Sequence, residues 1–337
     1  MPWYRHILWP FAIPYGLVVW LRNRLFDLGF LPSKQFEIPI ICIGNLETGG
    51  TGKSPLVHYT VKTLQDFGLD VVVLSRGYGR STSGFRLVST EDVTADVGDE
   101  PLQIKLRYPH TNVVVCENRV EGVKRILSSN FSVDVIVMDD GFQHRWIKQS
   151  LSILVTPASF PFWKNALVPV GSLREAKRES KRAKALVLSG GKVESNVQFD
   201  GPVFSAEVAS DKPVQLIGPS VNLTSESSVV LLSGIANSDR FENSVSELFK
   251  PLHHSTFSDH HQFSVKDLQN LREIYNSFGA AVHAIITTEK DAVRLRNSPL
   301  LNELEGIPVF YLPIDVEFLG TDKQAFDKMI LAYGKHA

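Results

Sequence analysis

The segment Gly44-Asn-Leu-Glu-Thr-Gly-Gly-Thr-Gly-Lys-Ser-Pro55 carries the clearest chemical signal in the chain. It follows Pro39-Ile-Ile-Cys-Ile43, which reads as a buried strand, and it leads into a stretch that reads as a helix. A strand, a glycine-rich loop and a helix N-terminus form a polyphosphate site, because backbone N–H groups and the helix dipole both face the anion. On this reading Asn45, Thr48, Gly49, Gly50, Thr51 and Gly52 line a nucleotide's phosphates. Lys53 reaches the β- and γ-phosphates, and the Ser54 hydroxyl ligates Mg²⁺. The match is not strict, since Glu47 stands where the phosphate loop has its first glycine and Gly44 lies further upstream.

A second part of such a site is an acidic residue at the end of another strand, placed to hold Mg²⁺. Val133-Asp-Val-Ile-Val-Met138 runs into Asp139-Asp140-Gly141-Phe142-Gln143-His144 and supplies it. Acidic pairs at strand ends also serve as plain turn formers. The phosphate loop upstream is what favours the metal reading.

These groups need a scaffold. Apolar runs at 38–43, 71–74, 113–116, 133–138, 151–155 and 185–188 alternate with helical stretches at 53–67 and 118–130. Near-continuous apolar strands separated by helices indicate an α/β fold whose parallel sheet is covered on both faces. The chain turns polar at Gly190-Gly-Lys-Val-Glu-Ser-Asn196, and runs near 203–208 and 214–217 read as a pair of connecting strands. A second alternation follows, with strands at 229–232, 283–287 and 309–312 and helices near 240–249, 265–277, from 289 and 322–334.

An apolar content of 43% and a net charge of −1 exclude a disordered chain and disfavour a nucleic-acid binder driven by bulk charge. Cys42 and Cys116 are too few for a disulfide framework or a thiolate metal cage, and both sit in apolar runs as core thiols of a reducing compartment. From Ile7 to Leu21 no residue is charged; Arg5 precedes the run, and Arg22 and Arg24 follow it. It is too short to span a bilayer, and no small-residue cleavage site follows it. Trp9, Phe11, Tyr15 and Trp20 between flanking arginines suit a water–lipid interface. The competing reading is a helix packed on the protein's own core.

Seven segments then occur in a telling order: the loop at 44–55, Ser75-Arg-Gly-Tyr-Gly-Arg80, Gly98-Asp-Glu-Pro101, Asp139-Asp-Gly-Phe-Gln-His144, Gly171-Ser-Leu-Arg-Glu175, Asp259-His260 and Thr287-Thr-Glu-Lys-Asp291. In this the chain resembles the tetraacyldisaccharide 4'-kinases of lipid A synthesis over essentially its whole length. Ser54 stands where many members carry threonine, and Ser172 where a proline is expected.

The resemblance implies ATP- and Mg²⁺-dependent phosphorylation of the 4'-hydroxyl of a lipid-linked glucosamine disaccharide, a tetraacyldisaccharide 1-phosphate. The enzyme would be peripheral, on the cytoplasmic face of the bacterial inner membrane, with no nucleic acid and no obligate protein partner. The implied fold is a phosphate-loop NTPase-like parallel-sheet domain plus a smaller α/β domain joined by a β-ribbon. Its expected bounds are an interfacial helix over 1–25, the kinase domain over 26–200, the ribbon over 201–220 and the second domain over 221–337.

Carried over residue by residue, the resemblance makes Asp99 the base or orienter of the sugar hydroxyl and His260 its partner. It places Asp139, Asp140 and Glu175 with Ser54 around Mg²⁺, and Lys290 and Asp291 near the nucleotide. Arg76, Tyr78, Arg80, Glu100, Arg119, Gln143, His144 and Arg174 fall to the substrate. Arg174 also opens a stretch to Lys184 with six basic residues, either a solvated helix face or a surface laid against anionic lipid. Two other classes use the same loop: a soluble kinase of a small metabolite, and an ATPase switch that phosphorylates nothing.

Overall fold

The computed structural model describes residues 8–192 and 196–335. Arg5, Ile7 at the start of the apolar run, and Val193-Glu-Ser195 of the polar turn lie outside them. In chain order the elements are α1 (Trp9–Asp27), β1 (Ile40–Gly44), α2 (Lys53–Asp66), β2 (Val71–Ser75), β3 (Arg86–Leu87), α3 (Thr94–Val97), α4 (Asp99–Arg107), β4 (Asn112–Val115), α5 (Arg119–Leu127), β5 (Val135–Asp139), β6 (Leu151–Pro157) and β7 (Ala185–Ser189). There follow β8 (Val203–Ser210), β9 (Val214–Ile217), β10 (Ser228–Ser233), α6 (Ser238–Ser246), β11 (Lys250–Thr256), α7 (Val265–Ser277), β12 (Ala284–Thr288), α8 (Glu289–Leu295), β13 (Val309–Leu312), β14 (Ile314–Phe318) and α9 (Asp322–Gly334).

The large sheet has the order β14-β8-β7-β6-β1-β5-β2-β4-β3, parallel except for the edge strands β3 and β14. Its central strands alternate sides. Ile41 and Ile43 of β1 enter one core with Leu56, Val57, Val61 and Leu64 of α2, while Ile40 and Cys42 enter the other with Val123 and Ile126 of α5. The smaller sheet, β11-β10-β12-β13-β9, is sandwiched in the same way, by Leu268 and Leu271 of α7 on one face and Phe241 and Val245 of α6 on the other.

The expected ribbon differs in its partners. The runs at 203–210 and 214–217 do not pair with each other; β8 pairs antiparallel with β14, and β9 with β13. Residues 203–217 and 309–318 are thus the two sides of the connection, each contributing one strand to each sheet. The C-terminal segment, expected wholly within the second domain, returns to the first. Phe326 and Ile330 of α9 are fully buried in the core beneath α2, because the helix puts its apolar stripe on that face.

Helix α1 divides its surface. Phe26 is buried edge-on against Trp146 at 4.9 Å, and the Tyr15 hydroxyl donates to the Arg174 carbonyl at 2.8 Å. Phe11, Ile13, Leu17 and Val18 stay 60–68% exposed. The competing core-packed reading therefore holds for one face only. Among the described residues no helix is long and apolar enough to cross a membrane.

Candidate active site

In the large sheet Ile43 lies opposite Asp139, so the glycine-rich loop and the acidic pair leave adjacent strands at one edge. Ligands of open α/β sheets bind at such carboxyl-terminal strand ends, where strand order reverses. Helix α2 begins there with Gly52 as its N-cap, at φ +89° and without any side-chain cap. Its first N–H groups are therefore left for another acceptor. A Cβ at Gly52 would stand 2.2 Å from Ser189 Oγ, so glycine is required by both backbone and space. Asn45 Nδ2 donates to Thr51 Oγ1 at 2.8 Å, both side chains buried, and the Thr48 N–H donates to the Ser172 carbonyl at 2.7 Å. Gly49 and Gly50 have open space above them.

Ser172 itself donates its backbone N–H to Asn165 Oδ1 at 3.2 Å, a bond that the expected proline would lack. Glu47 is buried and accepts from Thr156 Oγ1 at 3.0 Å, with its pKa pushed by burial up to about 7. The missing glycine thus became an internal carboxyl that braces the loop.

Lys53 Nζ lies 3.6 Å from Asp140 Oδ1. Arg174 grips the same carboxylate with two N–H groups at 3.0 and 3.1 Å and also donates to Asn45 Oδ1. Burial pushes the Asp140 carboxyl up, but Lys53 and Arg174 more than reverse this and leave it below its ordinary range. Asp139 is 2% exposed and accepts from Ser75 Oγ at 3.2 Å, while its Oδ1 has no partner among the described residues. Burial first, then the Glu100 and Asp140 carboxylates, raise its pKa to about 7.

A buried, orphaned carboxylate oxygen next to two further carboxylates fits a divalent cation. Among the described residues no three His, Cys, Asp or Glu side chains form a metal cage. Mg²⁺ is commonly held by one or two carboxylates together with phosphate oxygens and water.

Glu175, expected beside the metal, is 1% exposed and paired with Arg182, with Arg22 at 3.9 Å. Its pKa is raised by burial in spite of these cations. The basic stretch is divided: Arg174 and Arg182 hold these carboxylates, whereas Lys177, Arg178, Lys181 and Lys184 are exposed, with Lys177 donating to the Trp163 carbonyl and Lys184 to the Ser150 carbonyl.

Ser54 Oγ donates to Glu100 Oε1 at 3.1 Å, which ties the phosphate loop to the first turn of α4. The residue before Glu100 is Asp99, 12% exposed, and its Oδ2 lies 3.2 Å from His260 Nδ1. His260 reaches it from the second unit at φ +59°. Val293 of α8 enters the large core, and Arg107 of α4 pairs with Glu289 at 3.4 Å and with Asp315 at 2.6 Å. Those contacts dock the second unit against α4.

Lys290 Nζ stands 3.5 Å from His260 Nε2. Asp291, expected near the nucleotide, is instead fully buried: it accepts from the Gly234 N–H at 2.9 Å and the Thr288 hydroxyl at 2.7 Å. Arg294, which no sequence motif singled out, joins Asp291 to Asp99.

Of the remaining expected residues, Tyr78 is exposed with its ring 5.9 Å from the His260 ring. Arg76 is exposed, and Arg119 is 4% exposed with an unpartnered Nε. Burial, and then Arg76, lower the Arg119 pKa. Burial, then Arg119, Arg22 and Arg76, bring His144 down to about 4. Gln143 donates to the Asn45 carbonyl at 2.8 Å. Arg80, expected to touch substrate, is tied to Glu117 at 2.5 Å and to the Gly84 carbonyl at 2.6 Å, and so holds its own loop in shape.

The sequence matches the family described as Tetraacyldisaccharide-1-P 4'-kinase over residues 4–335. A tetraacyldisaccharide 4'-kinase of Bacteroides thetaiotaomicron is 35% identical, covering 97% of this chain and 92% of that protein. The Flavobacterium johnsoniae protein of that name is 35% identical over 98% and 97%. A crystal structure of LpxK from Aquifex aeolicus in complex with ATP superposes with a TM-score of 0.79 at 30% identity, covering 98% of this chain and 99% of that one. The chain belongs to the tetraacyldisaccharide 4'-kinase family.

Proposed function

We propose that this chain transfers the γ-phosphate of ATP to the 4'-hydroxyl of a tetraacyldisaccharide 1-phosphate, with Asp99 as the residue that orients that hydroxyl and accepts its proton. The observation that carries this reading is the 3.1 Å bond from Ser54 to Glu100, because it makes the phosphate loop and the Asp99–His260 pair one continuous site. Phosphoryl transfer passes through a loose transition state, so positioning and charge neutralisation outweigh covalent chemistry. Lys53, released from Asp140, takes the β- and γ-phosphates, and the uncapped N–H groups of α2 supply further donors.

Ser54 and Asp139 are the residues suited to hold Mg²⁺, with Asp140 beside them; an ion held there would supply charge neutralisation for the transferring phosphoryl group. Asp99 accepts the hydroxyl proton, and His260 holds the carboxylate in place. Arg76 and Arg119 present excess positive charge, and Arg119 Nε and Nε2 of a neutral His144 have no partner among the described residues, which suits the phosphate already on the lipid.

The exposed apolar face of α1 supports peripheral attachment to the inner membrane, and the cytoplasmic face is where ATP is available. Transfer of labelled γ-phosphate to a disaccharide-1-phosphate lipid, compared with ADP release in the same mixture, tests the reading. One labelled lipid per ADP is the expected result. ADP release without labelled lipid would overturn it in favour of an ATPase switch, and labelling of a water-soluble acceptor alone would favour a metabolite kinase.

A further inference from the structure

Asp99 uses only one of its oxygens to meet the second unit. Oδ2 receives Arg294 Nη2 at 2.7 Å, Arg294 Nε at 2.8 Å and His260 Nδ1 at 3.2 Å. None of the hydrogen bonds among the described residues falls on Oδ1. His260 Nδ1 also lies 3.4 Å from Arg294 Nη2, and its Nε2 lies 3.5 Å from Lys290 Nζ; the tautomer with the proton on Nδ1 donates to the carboxylate and leaves Nε2 to accept from the lysine.

Arg294 is built into its own unit before it meets Asp99. Its side chain is 4% exposed, and Nη1 donates to the Gly234 carbonyl and to Asp291 Oδ1, both at 2.7 Å. Asp291 is in turn fixed by the Gly234 N–H and the Thr288 hydroxyl. A planar fork whose one end is anchored has its other end aimed. Nε and Nη2 therefore point at the place that Asp99 occupies when the units are docked.

We infer that Arg294 is the positioning residue of the transfer site: it clamps Asp99 by Oδ2, turns Oδ1 toward the acceptor hydroxyl, and so makes a competent Asp99 conditional on docking of the second unit. This rests on the reading of Asp99 as proton acceptor. His260 gives one contact through an exposed ring, whereas Arg294 gives two through a buried guanidinium, so the arginine sets the orientation and the histidine trims it. Misplacement of a reacting group by about 1 Å costs on the order of 10²-fold in rate.

The test compares Arg294→Ala, Arg294→Lys, Asp99→Asn and the double variant Arg294→Ala/Asp99→Asn in the full chain, by transfer of labelled γ-phosphate to the disaccharide lipid. Arg294→Ala is expected to lower kcat about 10²-fold while KM for ATP changes less than about threefold. Free guanidinium should restore part of the lost kcat to Arg294→Ala and none to Asp99→Asn. The double variant should be no slower than Asp99→Asn alone. Arg294→Lys keeps a cation for Asp291 but cannot place two N–H groups on one oxygen, so it should melt near the parent temperature and still lose most of kcat. It decides the matter if the alanine variant does not fold.

Normal kcat in a folded Arg294→Lys protein, or full additivity in the double variant, would overturn the clamp and leave Asp99 as acceptor. Full activity of Asp99→Asn would overturn the acceptor assignment itself, and the clamp with it.

Discussion

Lys53 Nζ and Asp140 Oδ1 lie 3.6 Å apart, and the same Asp140 carboxylate is held by both terminal nitrogens of Arg174. The lysine of the phosphate loop thus waits on an acceptor that has a second cation of its own. A polyphosphate can take the lysine without leaving the partly exposed Asp140 carboxylate unpaired, which keeps the cost of exchange small.

The same arrangement separates chemistry from folding in Lys53→Ala. Asp140 keeps Arg174, so the variant should melt within a few degrees of the parent. Transfer of γ-phosphate should fall on the order of 10²-fold or more, the scale for losing a preorganised donor to developing charge. Comparable transfer in the variant would remove Lys53 from the phosphate site.

Asp99 and His260 come from different units and meet at 3.2 Å. Asp99→Asn should lower kcat by roughly 10²–10⁴, as expected for a positioned proton acceptor, with little change in KM for ATP. His260→Ala should act on the same step, and the double variant should lose much less than the product of the single losses. Additive losses that appear in KM would reassign both residues to binding contacts.

What was legible in the sequence follows from how local its causes are. Helix α7 begins at Val265 as expected, because Ser264 and Asp267 form a reciprocal capping box within four residues. The motifs around Lys53 and Asp139 are local in the same sense. Strand β11 went unrecognised since it is the edge strand of the small sheet, half-exposed, with Pro251, His253 and His254 breaking any apolar run. Helix α4 hid behind a polar start, Gly98-Asp-Glu-Pro101.

The site residues divide along the same line. Arg294 is silent in the sequence because its partner Asp99 is 195 positions away. The pairing of Glu175 is equally silent in the sequence, because Arg182, in a stretch that reads as solvated charge, folds back to cover it in a short 3₁₀ turn.

The structure also changes how α1 should be tested. Removing residues 1–25 would take away Arg22, which donates to the Gln143 carbonyl, and the Asn23 carbonyl that Arg145 uses at 2.8 Å, so it would disturb the site as well as the surface. Ile13→Gln with Leu17→Gln touches only side chains that are 67% and 60% exposed. Each loses roughly 1.5–3 kcal/mol of apolar burial if the helix lies in lipid. The pair should therefore cut sedimentation with anionic vesicles by more than tenfold at unchanged ATP binding. Unchanged sedimentation would show that this face does not enter the bilayer.

His58 on α2 ties the fold itself to pH. It is 1% exposed, and neither ring nitrogen has a hydrogen-bond partner among the described residues. Burial, helped by the Arg107 cation, lowers its pKa to about 3. The unfolded chain binds this proton near pH 6.5 and the folded chain does not until far lower, so the folded state loses stability as pH falls through that interval. The slope from one such group is about 1.4 kcal/mol per pH unit below roughly 6.5. His58→Leu removes the titrating ring and places an apolar side chain where the ring nitrogens had no partner. Its melting temperature at pH 5 should exceed that of the parent, and the difference should shrink toward pH 7.5. His144, brought down only to about 4, is the natural control, and His144→Gln should flatten the acid limb less. A His58→Leu protein whose melting temperature falls with pH as steeply as the parent's would show that the acid sensitivity lies elsewhere.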